Sequence, residues 1–162
     1  MGARVSIQVD DFDLSAEVDA LRAQDLRVGA VCSFIGTVRD RHMNLERGSP
    51  VHPGEVSSLE LEHYPGMTEK ALQSIVDAAR ARWQLDDVLV IHRVGPLAPL
   101  DQIVLVAVTS AHRGEALAAC EFVIDWLKTD APFWKKESTP QGERWVDARE
   151  SDTAAAARWG GR

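Results

Sequence analysis

An apolar run with helical spacing from Glu115 to Lys128 meets Pro132, and the turn Pro132-Phe133-Trp134 leads straight into Lys135 and Lys136. The residue before a proline disfavours helical geometry, so a helix here must stop and the chain must turn a corner. Leu117, Cys120, Ile124 and Lys128 recur every three or four residues, a spacing that places Lys128 on the core-facing stripe. Two readings of that ammonium are open: it caps the last helical carbonyls and reaches to solvent, or it serves an anion-binding or catalytic site. In both, two lysines are held beside one rigid corner.

The rest of the chain reads as alternating strands and helices. Val5, Ile7 and Val9 alternate with polar residues as in a strand, and Leu14 to Arg22 forms a short helix opened by Asp13 or Ser15. Val28 to Val38 is a strand whose apolar residues fall on both parities, as expected when both faces are covered; Gly36 marks a bulge or a close backbone approach. Leu59, Leu61 and His63 alternate with Glu60 and Glu62 up to the turn Tyr64-Pro65-Gly66. Thr68 then caps a helix that aligns Leu72, Ile75, Val76, Ala79 and Trp83 on one face. Val88 to Val94 and Ile103 to Ser110 are apolar strands that pair. The segment 40–56 carries Gly, Pro and charge without periodicity and reads as a mobile loop, while 151–162 reads as a C-terminal tail after one domain over 1–150. This order of elements indicates an α+β or α/β domain without the regular alternation of a dinucleotide-binding fold.

Composition excludes several functions. With 162 residues the chain suits one domain, and no apolar run reaches the roughly 20 residues that span a bilayer. The N-terminus lacks signal-peptide and transit character, so a cytoplasmic protein without membrane attachment is expected. A net charge of −7 argues against nucleic-acid binding, and local basic clusters then point to small anions. Cys32 and Cys120 read as small buried hydrophobes, not as zinc ligands or sulfur carriers. No metal-ligand spacing is present; His63 and His92, each on a strand, read as hydrogen-bonded structural residues.

Basic residues collect at the ends of the expected elements: Arg39, His112, Arg113, Lys128 and Lys135. Loops and element ends on a rigid scaffold usually carry function. His112 and Arg113 precede a helix, whose first backbone N–H groups add to their positive potential and suit a phosphate; the competing reading pairs Arg113 with a carboxylate such as Glu115. Lys135 and Lys136 are neighbours, so only one can face a given pocket. Glu137 either balances their charge, orients Lys135 or contacts substrate. Phe133, Trp134, Trp126 and Trp145 surround the corner and are expected mainly in the core.

Five ordered blocks carry a resemblance: LELEHYPGMTEKAL from Leu59, VIHRVGPL from Val90, VTSAHR from Val108, LKTDAPFWKKE from Leu127 and GERWVDARESD from Gly142. Together they resemble the large, catalytic subunit family of molybdopterin synthase, although the segment 40–56 is longer than the family pattern. The resemblance implies an α/β hammerhead architecture with a subsidiary β-rich part, and sulfur transfer to cyclic pyranopterin monophosphate (precursor Z) that forms the molybdopterin dithiolene. It implies Lys128 and Lys135 as catalytic residues and Thr37, Val38, Arg39, His112, Arg113, Lys136 and Glu137 as substrate-binding ones. No bound cofactor is implied, because the sulfur arrives on a partner, a small ubiquitin-like subunit with a C-terminal Gly-Gly thiocarboxylate. A homodimer of large subunits with a small subunit at each end, a heterotetramer, is implied as well. Clustered charge and partial burial both lower a lysine pKa, which would let Lys128 move protons near neutral pH; electrostatic stabilisation is the other role open to it. The competing function is a non-catalytic anion-binding or interaction module of the same fold. Gly160 and Gly161 resemble a ubiquitin-like terminus only faintly, since Arg162 follows them.

Overall fold

The apolar strands dictate a sheet with two covered faces. In the computed structural model, which describes residues 3–23, 25–39, 58–139, 142–146 and 150–161, β1 (Ala3–Gln8), β4 (Asp87–Arg93), β6 (Gln102–Ser110) and β2 (Ala30–Thr37) form a sheet in the order β1-β4-β6-β2. β1 runs parallel to β4, and the other pairs are antiparallel. Successive side chains on a strand face opposite ways. Val88, Val90, Val104, Val106 and Val108 therefore enter one core, beneath α2 (Met67–Arg82) and α3 (Arg113–Asp130), and Leu89, Ile91, Leu105 and Ala107 enter a smaller one with Phe12 and Leu21 of the α1 (Leu14–Arg22) side. Each large aliphatic side chain so buried contributes about 1.5–3 kcal/mol.

The second sheet orders β5 (Gly95–Leu97), β3 (Ser58–His63), β7 (Phe133–Thr139) and β8 (Gly142–Val146) as β5-β3-β7-β8, all antiparallel. Leu59 and Leu61 bury one face of β3, while Glu60 and Glu62 are exposed on the other. The mixture of helices and strands bears out the α+β class.

Local signals are mostly obeyed. Asp13 is the N-cap of α1 and accepts from the Ala16 N–H at 3.0 Å, and α3 ends at Ala131, directly before Pro132. Gly36 is both a bulge and a close approach: the register shifts between Gly36 and Thr37, and a Cβ at Gly36 would lie 2.8 Å from Val104 Cγ1.

Three expectations change. β2 is not buried on both faces: among the described residues it stands at the edge of its sheet, with Phe34 exposed and none of its own residues fully buried. Thr68 is not the cap of α2. Gly66 holds that position, with its N–H donating to Glu69 Oε2 at 2.6 Å, while the buried Thr68 hydroxyl accepts from the Tyr64 N–H and donates to the Pro132 carbonyl, each at 3.1 Å. Thr68 thus ties the start of α2 to the Pro132 corner. Leu117 is 58% exposed, and the core stripe of α3 is Ala116, Ala119, Cys120, Phe122, Val123 and Leu127. Lys128 lies one residue past that stripe, half-buried.

The end of the chain also packs. α4 (Glu150–Ala157) lies against α3, with Ala156 buried. Trp159 meets Phe122 and Trp83 edge-on, at centroid distances of 5.4 and 5.8 Å, and its indole N–H donates to Asp125 at 2.9 Å. Arg82 donates to the carbonyls of Trp159 and Gly161. The segment 40–56 lies outside the described residues.

Candidate active site

Two elements bring the lysines to one place. Lys128 stands in the last turn of α3, beside the buried Leu127. Lys135 pairs with Leu61, and Phe133, two residues earlier, pairs with His63. Cross-strand partners share a sheet face, so Lys135, Phe133, Leu61 and His63 all lie on the core side of this sheet.

His92 lies within electrostatic reach of both lysines. Its ring stacks on Phe133 with centroids 3.7 Å apart and planes 15° apart, and its Nδ1 is 2.8 Å from the Arg93 carbonyl oxygen. A carbonyl only accepts, so Nδ1 carries the proton and Nε2 the lone pair. Burial pushes the imidazole down to about 3; the Arg93 carbonyl opposes this, and the positive charges of Lys128, Lys135 and His63 add to it. His92 is a neutral, buried ring within electrostatic reach of both lysines.

Arg39 follows β2 at this same end of the first sheet, since His92 and Gly36 both align with Val104. Thr37 and Arg39 are exposed there and Val38 is buried, with its N–H donating to the Asp101 carbonyl at 2.9 Å. Lys128, Lys135 and the segment Thr37–Arg39 thus share one end of the fold.

His112 and Arg113 are elsewhere. Ser110 pairs with Ala30, the first residue of β2, and the Gly29 N–H donates to the Ser110 carbonyl at 3.0 Å. Along an eight-residue strand the two ends are about 23 Å apart. The helix gives the same answer: Arg113 and Lys128 are at positions 113 and 128 of α3, about 22 Å apart at 1.5 Å per residue. His112 is the N-cap of α3, its N–H held by Ser110 Oγ at 3.2 Å, and both His112 and Arg113 are exposed. Glu115, the expected surface partner of Arg113, instead takes the Ser110 hydroxyl at 3.2 Å, and among the described residues Arg113 makes no ion pair.

Lys136 faces away from Lys135. It pairs with Glu60 and Trp145, on the outer side of the second sheet. There its ammonium is 2.8 Å from Glu143 Oε2 and 5.9 Å from the Trp145 ring centroid; the Glu143 hydrogen bond and charge raise its pKa, with smaller contributions from Glu60 and Glu62. The side chain of Glu137 lies outside the described part. Next to Lys136 is a cleft of ≈ 490 Å³ lined by Glu62, His63, Tyr64, Trp134 and Trp145. Of the four aromatics expected mainly in the core, Phe133 and Trp126 pack against it, whereas Trp134 and Trp145 are exposed on this outer face.

Cys32 and Cys120 are free thiols, Cys120 buried and Cys32 half-buried; burial pushes the Cys120 thiol up, and its neighbour Cys32 adds to that. Among the described residues no group of three or more His, Cys, Asp or Glu is placed to hold a metal, and no helix is long and apolar enough to cross a membrane.

Residues 7–130 match the family described as MoaE protein. The chain belongs to this family. MoaE relatives agree along nearly the full length: the chain is 65% identical over 156 residues to the molybdopterin synthase catalytic subunit of Ralstonia nicotianae, covering 96% of this chain and 84% of that one. The fold superposes on the MoaE protein of Burkholderia ambifaria with a TM-score of 0.81 at 58% identity, covering 99% of both chains. It also superposes on a Helicobacter pylori structure, a complex of subunits 1 and 2 of molybdopterin-converting factor, with a TM-score of 0.70 at 18% identity and coverage of 90% and 91%, a likeness of fold. As a MoaE chain it functions in molybdenum cofactor biosynthesis, as the catalytic subunit of a molybdopterin synthase, which is a sulfurtransferase.

Proposed function

We propose that this chain moves two sulfurs onto precursor Z, one from each of two thiocarboxylated small ubiquitin-like subunits acting in turn, at a site built on Lys128 and Lys135. The observation that carries this reading is the convergence of the two lysines on the His92–Phe133 pair, at the end of the fold where Arg39 also lies. The small subunit is proposed by analogy with the two-subunit Helicobacter pylori complex. Neither cysteine is exposed, and burial pushes the Cys120 thiol up, which fits sulfur delivered from outside. Two free thiols also suit the reducing cytoplasm.

The chemistry assigns the lysines their work. A thiocarboxylate sulfur attacks an electrophilic carbon of the substrate, and the carbon–sulfur bond forms as that carbon's bond to oxygen breaks, the oxygen departing on the opening cyclic phosphate or, protonated, as water. For the sulfur to remain there, its bond to the partner's acyl carbon is hydrolysed by water, leaving a carboxylate on the partner. Negative charge develops on the acyl oxygen, and on the phosphate as its ring opens; ammonium groups aimed at those atoms lower both barriers, and a lysine beside them can also pass a proton.

The substrate's phosphate needs further cations, and His112 with Arg113 at a helix N-terminus suits it. About 22 Å separates Arg113 from the lysine of its own chain, which is more than the side chains can bridge. A homodimer resolves this: the His112–Arg113 corner of one copy completes the lysine site of the other, and with two small subunits the assembly is a heterotetramer. The exposed edge of β2, with Phe34, offers a surface for such pairing. Thr37, Val38 and Arg39 follow that edge and contact substrate; Lys136 and Glu137 flank Lys135.

Mixing the purified chain with thiocarboxylated small subunit and precursor Z tests the reading. Dithiolene should form with the partner and not without it. Failure to form any with all three present would remove the sulfur-transfer assignment.

A further inference from the structure

Thr68 is fully buried in the first turn of α2. A hydroxyl in such a place costs stability unless it is hydrogen-bonded, and valine has nearly the same shape without that cost. Capping does not account for it, because Gly66 and Glu69 close that end of α2. Instead the hydroxyl accepts from the Tyr64 N–H and donates to the carbonyl of Pro132, 64 positions away, each at 3.1 Å. A hydroxyl has one proton to give, and here it goes to the corner between α3 and β7.

The two lysines of the proposed site stand on either side of that corner, Lys128 at the end of α3 and Lys135 on β7. The corner is tight. The Phe133 N–H donates to the Ala131 carbonyl at 2.9 Å, a three-residue turn about Pro132, and the Ala131 N–H donates to Leu127 at 3.3 Å. The segment that leads from β3 into α2 grips it at three points: His63 pairs with Phe133, the Tyr64 ring meets Trp134 edge-on at 4.3 Å, and Thr68 holds Pro132. Pairing with β3 sets where β7 lies, but not how the end of α3 meets it. We infer that Thr68 is a positioning residue for sulfur transfer: its bond to Pro132 fixes the end of α3 against β3 and β7, and so sets Lys128 relative to Lys135. Along an extended strand Lys135 is about 10 Å from Pro132, so a change of about 6° in the angle at the corner shifts one lysine relative to the other by about 1 Å. A misplacement of that size costs on the order of 100-fold in rate.

The inference rests on the sulfur-transfer reading, and its test separates the two. Thr68→Val keeps the shape and deletes the hydroxyl; Thr68→Ser keeps the hydroxyl and deletes a buried methyl; Thr68→Cys puts a weak thiol donor in its place. Ile75→Val, which trims another fully buried side chain of α2, is the control for stability alone. All are assayed with thiocarboxylated partner and precursor Z, at a temperature where circular dichroism shows each chain folded. Dithiolene from the parental chain establishes the reading itself, and its absence there removes the reading. With the parental chain active, Thr68→Val should lose about 10–100-fold in kcat, with KM within about twofold and partner affinity unchanged by calorimetry. Thr68→Ser and Ile75→Val should keep kcat within about threefold of parental despite a lower Tm, and Thr68→Cys should fall between Thr68→Ser and Thr68→Val. Thr68→Cys decides the matter if Thr68→Val does not fold. Parental kcat in whichever of these two is folded, or losses across the set that follow Tm, would overturn the positioning role.

Discussion

His92 lies flat against Phe133, with ring centroids 3.7 Å apart and planes inclined by 15°. This contact joins the central strands of the first sheet to β7 of the second, and Lys128 and Lys135 both act on its imidazole electrostatically. Acid should therefore loosen the site. The folded imidazole is pushed down to about 3 from an ordinary value of 6.5, so the unfolded chain binds the proton more readily. Its contribution is fully present above pH 6.5 and is lost as pH falls from there toward 3, at no more than about 1.4 kcal/mol per pH unit. Urea unfolding from pH 7 to 4 should show this slope in the parental chain and a shallower one in His92→Phe; identical slopes would contradict a buried neutral imidazole.

Lys128→Ala separates chemistry from folding. A half-buried lysine in a last helical turn adds little to stability, about 0.5 kcal/mol, whereas loss of a general acid or base costs roughly 10²–10⁴-fold in rate. Near-parental Tm, retained partner binding and almost no dithiolene are expected. Lys136→Ala should be much milder, because its ammonium faces Glu143 on the opposite side of the sheet. A Lys128→Ala variant working at the parental rate would reduce this lysine to a helix cap.

The cysteines should be dispensable for transfer. Cys120 is buried with its thiol pushed up, and Cys32 is half-buried against the same core. The double variant Cys32→Ala, Cys120→Ala, supplied with thiocarboxylated partner, should still form dithiolene. Loss of transfer in folded double variant would place a sulfur carrier within the chain.

Trp159 should matter more for stability than its place near the chain end suggests. It seals Phe122 and Trp83, receives the Arg82 guanidinium at 6.0 Å and donates to Asp125, which also pairs with Arg158 at 2.9 Å. Trp159→Ala should lower unfolding free energy by about 2–4 kcal/mol in urea titration. A change below about 0.5 kcal/mol, as at an ordinary surface position, would mean that this end is not part of the folded unit.

Much of this was legible in the residues because the signals are local. Alternation in Leu59, Leu61 and His63, the Asp13 cap and the Pro132 stop each act within a few positions, and the structure follows them. Gly36 was legible for the same reason. What was not legible depends on partners distant in sequence. The apolar residues of β2 do not reveal that β6 alone pairs with it among the described residues, and Thr68 gives no sign that it will bind Pro132 across 64 positions. The five basic residues likewise form one group by type only. Their division into Arg39 with two lysines at one end and His112 with Arg113 at the other follows from the antiparallel register of β2 on β6. His92 reads from the sequence as a hydrogen-bonded structural residue, and it is one; its stack on Phe133 joins strands far apart in the chain, and its sequence signal is a lone imidazole ending an apolar strand.

In the proposed dimer each active site takes its lysines from one copy and His112 with Arg113 from the other. Coexpression of Lys128→Ala and Arg113→Ala chains tests it most directly, because neither homodimer then holds an intact site. Random pairing makes half the dimers mixed, each with one intact and one doubly altered site, so activity should return to about a quarter of the parental value in a two-fold symmetric assembly. Each variant expressed alone should be nearly inactive in dithiolene formation. A coexpressed mixture no more active than the better single variant would show that the sites are not shared between copies.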